Sequence, residues 1–179
     1  MLEYLRNHGF NNLKGVDISE EQIIIAKQKE IDVEVADVID YLKKGKEKFK
    51  VIIALDFIEH FKKEELIQLF KGIYNNLQEE GLFILHTPNG QGIFSSNLIY
   101  GDLTHLTIFT PNSAQQILRT VGFNEIAFYE TGPVSKNFNG FIRLLIWKII
   151  KFGYNCIRFV ETGSMEKILT QNFIAIAKK

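Results

Sequence analysis

Short apolar runs alternate along this chain with longer stretches whose apolar residues recur three and four positions apart. Val51-Ile52-Ile53-Ala54-Leu55 and Leu82-Phe83-Ile84-Leu85-His86 are nearly uniform, the pattern of parallel strands covered on both faces. Gly15-Val16-Asp17 and the segments 32–36, 125–129 and 172–178 are further strand candidates. Helical spacing marks 20–29, with Ile23 and Ile24 turned past the sheet, and 63–77, through Leu66, Leu69, Phe70, Ile73, Tyr74 and Leu77. Residues 38–42 suggest a helical turn. A helix over 110–121 begins on Thr110-Pro111 and ends at Gly122-Phe123. Ser19 and Gln22 have the spacing of a capping box. Residues 1–8 read as the last turns of a helix, with Gly9 just past its end. Residues 43–50 and 91–109 are expected to be polar loops. A helical insert occupies about 133–168, in which Gly153 is expected to separate two helices. The alternation predicts a single domain over 1–179 with a doubly wound α/β fold.

Composition narrows the function classes. Lys+Arg and Asp+Glu both number 21, so no net field draws the protein to nucleic acid. The single cysteine, Cys156, excludes an internal disulfide framework and is expected to be a small apolar filler in a reducing compartment. The first residues lack the apolar core of a signal peptide, which suggests a cytoplasmic protein.

Candidate chemistry gathers at strand ends, where open α/β sheets bind ligands. Asp17 closes a strand and could accept both hydroxyls of a ribose; it could equally only start the turn. Glu59 and His60 follow the apolar run, and His105 lies in the long polar loop. Imidazoles titrate near neutrality and suit a general base. Holding the turn is the structural alternative for His60. No HxxxH or CxxC spacing is present, so no metal is expected from the sequence.

Taken in order, Gly15-Val16-Asp17-Ile18-Ser19, Asp37 after the next strand, and Ile-Ala-Leu-Asp-Phe-Ile-Glu59-His60 resemble class I S-adenosylmethionine-dependent methyltransferases. So do Gly81-Leu-Phe-Ile-Leu-His-Thr-Pro-Asn89, Phe109-Thr110-Pro111 and Val-Gly122-Phe123. Gly101-Asp-Leu-Thr-His105 and Leu169-Thr-Gln-Asn-Phe173 are similar to stretches in methyltransferases of bacterial surface-polysaccharide pathways. The resemblance implies a Rossmann-like, mostly parallel sheet whose last strand is antiparallel, and S-adenosylmethionine as cofactor. Asp17 would then hold the ribose and Ile18 the adenine face. Asp37 would accept from the adenine amino group, unless it only caps the next turn, and the Val38 N–H would face a ring nitrogen. Leu55, core in any reading, and Asp56 would border the methionine part. Glu59, His60 and His105 would serve a small-molecule or glycan-type acceptor, methylated on oxygen.

The resemblance departs at the front. The family's first strand and glycine-rich loop are not found, so the chain is expected to be a fragment that binds S-adenosylmethionine weakly. The strands ending at Asp17 and Leu55 would then flank a gap. A non-catalytic or truncated methyltransferase-like partner subunit is the alternative function. A nicotinamide-dependent Rossmann enzyme is a third, disfavoured by the missing Gly-x-Gly-x-x-Gly. The stretch 141–160 places Arg143, Lys148, Lys151, Asn155 and Arg158 within one helical arc of about 140°. Four basic residues argue against spanning. A lid or dimer helix over the acceptor site is preferred to a peripheral membrane contact.

Overall fold

The computed structural model describes residues 1–45 and 47–179. The expected loop at 43–50 therefore includes one residue, Lys46, outside the described residues. The elements are α1 (Leu2–Asn7), β1 (Gly15–Asp17), α2 (Glu20–Gln28), β2 (Val33–Val35), α3 (Val38–Lys44) and β3 (Phe49–Leu55), followed by a 3₁₀ turn (Ile58–His60). Then come α4 (Lys63–Asn76), β4 (Leu77–Pro88), α5 (Ser96–Tyr100), α6 (Pro111–Val121), β5 (Glu125–Glu130), α7 (Phe138–Thr162) and β6 (Asn172–Lys178).

The fold is α/β and Rossmann-like, with its strands in two groups. β1 and β2 form a parallel pair, Gly15 opposite Val33 and Asp17 opposite Val35. The second sheet runs β3-β4-β6-β5; β3 and β4 are parallel, and β6 is antiparallel to both of its neighbours. Among the described residues β1 and β3 do not pair, so the strands flanking the expected gap have not closed on each other. α3 bridges the two groups, touching β1 on one side and α4 on the other. Lys14 and Glu47, each just ahead of its strand, add an ion pair at 2.9 Å.

Packing is one-sided. Ala54, Phe83, Leu85, Phe173, Ala175 and Ala177 bury one face of the four-stranded sheet against α4 and α6. Phe70 meets Phe83 edge to face with ring centroids 5.8 Å apart, a favoured aromatic geometry. Along β3 and β4 the opposite side chains alternate with these, as the pleat requires. That face is open: Val51 is 41% and Leu55 46% exposed. The expectation that 51–55 is covered on both faces, with Leu55 in the core, is corrected to one face.

Further corrections are local. α5 forms inside the stretch expected to be a loop. β4 starts at Leu77 and loops out before resuming: Phe49 opposes Leu77, then Val51 opposes Leu82. Ile23 is buried but Ile24 is exposed. Cys156 is exposed and fills no core gap. α7 runs through Gly153 unbroken. A glycine in a helix costs about 1 kcal/mol against alanine, and here bonds on both sides hold the helix. Lys151 pairs with Glu130 at 2.8 Å, and Asn155 exchanges two hydrogen bonds with the Glu166 backbone.

Candidate active site

The tightest cluster follows β3. Its last residue, Leu55, leads into Asp56, a non-glycine residue at φ 46°, a conformation that costs free energy unless the surroundings hold it. They do: the Asp56 N–H donates to the His86 carbonyl at 3.0 Å, and the Asp56 carboxylate lies 2.8 Å from His86 Nδ1. This strained corner turns the chain into the 3₁₀ turn that carries Glu59 and His60.

Glu59 is 2% exposed. Its Oε2 accepts from the Thr87 hydroxyl at 3.0 Å, and among the described residues its Oε1 has no partner. The Glu59 carbonyl accepts from the Leu106 and Thr107 amides at 2.8 and 3.0 Å, and the Thr107 hydroxyl donates to the Phe61 carbonyl. These bonds bring the distant loop residue His105 beside His60, with ring centroids 5.1 Å apart. His60 Nδ1 lies 3.2 Å from the Thr104 carbonyl and 3.1 Å from its hydroxyl, which leaves Nε2 free. One ligand atom from each of Glu59, His60 and His105 lies within 4.8 Å of the others. The three residues expected to serve the acceptor are thus gathered from two segments 44 or more positions apart.

The loop is itself anchored. The Thr104 hydroxyl and amide donate to Asp102, holding its carboxyl below the usual aspartate range; the nearby imidazoles act in the same direction. Asn89, fully buried, donates to the Ile168 and Thr170 carbonyls and bridges to Phe109. His86 and Asn89 were not singled out by sequence. The signal available was their place at the end of an apolar strand.

The residues expected to hold the adenosine lie on the smaller sheet. Asp17 Oδ1 accepts from the Ser19 N–H at 2.8 Å, which fixes the carboxylate while leaving its second oxygen outward. Ile18 is 76% exposed, an apolar side chain at a strand end with nothing over it. Asp37 caps α3: Oδ1 accepts from the Ile39 and Asp40 amides at 2.9 and 3.1 Å. Val38, first in α3, has an N–H outside the helix's own ladder. Asp56, expected beside the methionine part, is engaged by His86 through one oxygen.

Comparisons with known proteins bear on the fold and the family. The chain is 32% identical over 108 residues to the carboxy-S-adenosyl-L-methionine synthase of Campylobacter fetus, covering 57% of this chain and 41% of that one. It therefore spans less than half the length of that relative. Its fold is similar to a SAM-dependent methyltransferase structure from Archaeoglobus fulgidus, with TM-score 0.72, 23% identity, and 99% of this chain and 80% of that chain covered. It is also similar to phosphoethanolamine N-methyltransferase 2 of Haemonchus contortus, solved with S-adenosyl-L-methionine, at TM-score 0.55 and 16% identity over 92% of this chain and 42% of that one. The sequence profile of the methyltransferase-domain family matches residues 1–127. The chain belongs to the methyltransferase-domain family, whose methyl donor is S-adenosylmethionine.

Proposed function

We propose that this chain transfers a methyl group from S-adenosylmethionine to an oxygen of a small-molecule or glycan-type acceptor. The observation that carries the reading is the buried Glu59, one oxygen of which has no partner among the described residues, next to His60 on the same turn and His105 on a loop clamped to that turn. S-adenosylmethionine, when bound, supplies a methyl already activated as a sulfonium. Methyl transfer then asks the protein chiefly for alignment, water exclusion and removal of a proton. Asp17 would hold the ribose hydroxyls, Ile18 the adenine face, Asp37 the adenine amino group and the Val38 N–H a ring nitrogen. Leu55 and Asp56 would border the donor's methionine end. His60 and His105 would hold the acceptor hydroxyl and take its proton, and Glu59 keeps the His105 loop beside His60 through its backbone carbonyl.

Support for oxygen over nitrogen comes from the imidazole pair, because a hydroxyl needs a base where a free amine does not. Support for a glycan-type acceptor is the likeness of 101–105 and 169–173 to polysaccharide-pathway enzymes. The test is a transfer assay with methyl-labelled donor and candidate sugar acceptors. His60→Ala and His105→Ala should lower turnover about 100-fold or more, the usual weight of a general base, with donor affinity unchanged. Full turnover in both variants overturns the assignment.

A further inference from the structure

We propose that Glu59, His60 and His105 form a binding site for one divalent transition-metal ion. A carboxylate buried to 2% exposure with one bare oxygen is costly unless something cationic satisfies it. No lysine or arginine pairs with Glu59 among the described residues. What stands near it are two imidazoles, with one ligand atom per residue inside 4.8 Å. Two histidines and one carboxylate, leaving positions open for substrate, are a donor set that first-row divalent metals accept. Closing to bonding distances of about 2.0–2.2 Å asks for small side-chain movements only.

The surrounding hydrogen bonds are of the kind that orient metal ligands. Thr87 holds the Glu59 oxygen that would not ligate. Thr104 holds His60 Nδ1, presenting Nε2. Asp102 lies 3.8 Å from His105 Nε2, beyond hydrogen-bond reach, and can act on the third ligand only through its charge. The sequence showed no metal spacing because the ligands come from two segments joined by tertiary hydrogen bonds at Glu59, His60 and Phe61. The inference rests on the acceptor-side reading above and deepens it: with an ion bound, the metal would grip and acidify the acceptor hydroxyl and its proton would pass to solvent, whereas without one the imidazoles take the proton directly.

Chelator-treated protein titrated with Co²⁺ alone tests the site by absorption spectroscopy. One equivalent should bind with visible d–d bands of a nitrogen–oxygen site, and His105→Ala should weaken binding at least tenfold. His60→Ala gives a second readout that leaves the buried carboxylate in place. No stoichiometric binding, or unchanged binding in both variants, overturns the site. Transfer activity that survives chelation with no Co²⁺ binding discards the ion and keeps the methyltransferase. Stoichiometric Co²⁺ binding with no transfer to any acceptor does the reverse.

A second inference stands on α7. The side chains this helix turns toward the protein are Gly140, Leu144, Trp147, Lys151, Asn155 and Arg158. Arg158 and Asn155 engage Glu166, and Lys151 engages Glu130. Its polar edge therefore faces inward and its apolar side outward: Ile149 is 64%, Phe152 69%, Ile157 74% and Val160 88% exposed. A lid would require the opposite orientation.

We infer that this face lies on an anionic lipid surface. At 100° per residue the outward apolar arc spans about 180°. That is wider than the seam one partner helix covers, and suits a planar interface. Lys148 and Arg143 border the arc on its two sides. Residues 133–168 hold six Lys/Arg and two Asp/Glu, net +4; the rest of the chain holds fifteen and nineteen, net −4. The basic insert complements anionic headgroups. No described helix is long and apolar enough to cross a membrane.

Flotation with phosphatidylglycerol-containing and pure phosphatidylcholine vesicles tests this. Binding to the former should fall with salt and fall tenfold or more in Ile149→Glu. No flotation at low salt overturns the inference, as does a dimer that Ile149→Glu dissociates while vesicle binding is nil.

Discussion

The two sheets carry the two halves of the proposed chemistry and are built very differently. The four-stranded sheet is packed on one face by α4 and α6 and bears a buried carboxylate with its histidines. The pair β1–β2 has three-residue strands, and its two candidate carboxylates are exposed. Among the described residues neither β1 nor β3 pairs with a strand along its second edge. In the proposed function, then, the acceptor residues are set by tertiary packing, whereas the donor residues stand on strand-end turns that local hydrogen bonds shape. The difference teaches where each half is vulnerable: the first to loss of core, the second to loss of single oxygens.

Breaking the packed half should have the largest effect. Phe83→Ala removes a fully buried ring between Phe70 and Phe123 and should cost about 3–5 kcal/mol, read by denaturant unfolding. Asp17→Ala, on the exposed half, should leave stability nearly unchanged. It should cost about 1.5–3 kcal/mol of donor binding, the worth of hydrogen bonds to a charged acceptor, measured by titration with S-adenosylhomocysteine. Helix caps give a finer comparison. Thr110 and Ser113 exchange bonds at 3.2 and 2.8 Å, whereas Ser19 accepts from Gln22 at 3.4 Å. Thr110→Ala should cost about 1 kcal/mol in thermal unfolding, within the usual range for caps, and Ser19→Ala less. Hydrogen exchange should find β1 and β2 amides opening at lower free energy than those of β4 and β6.

How much of this was legible in the sequence follows the same division. Strands β3, β4 and β6 announced themselves by apolar runs, and α4 and α6 by spacing and by Pro111 and Gly122. Strand-end positions of Asp17 and Asp37 were legible because local rules place them. Three features were not. The open face of β3 is invisible to a pattern that reports only that Val51 and Leu55 are apolar. The meeting of His105 with Glu59 and His60 depends on amides of Leu106 and Thr107 reaching the Glu59 carbonyl, a contact no spacing encodes. The continuity of α7 through Gly153 was decided by ion pairs on either side, which override a weak helix propensity.

In the proposed function Asp17 and Asp37 hold the donor while the Glu59 cluster serves the acceptor. Amide-resolved NMR with S-adenosylhomocysteine tests it most directly, because it detects weak binding and places it. Shifts should concentrate at Ile18, Ser19, Val38 and Ile39, be abolished in Asp17→Ala and be retained in His105→Ala. Shifts elsewhere that survive Asp17→Ala, or no shifts at millimolar ligand, would contradict it.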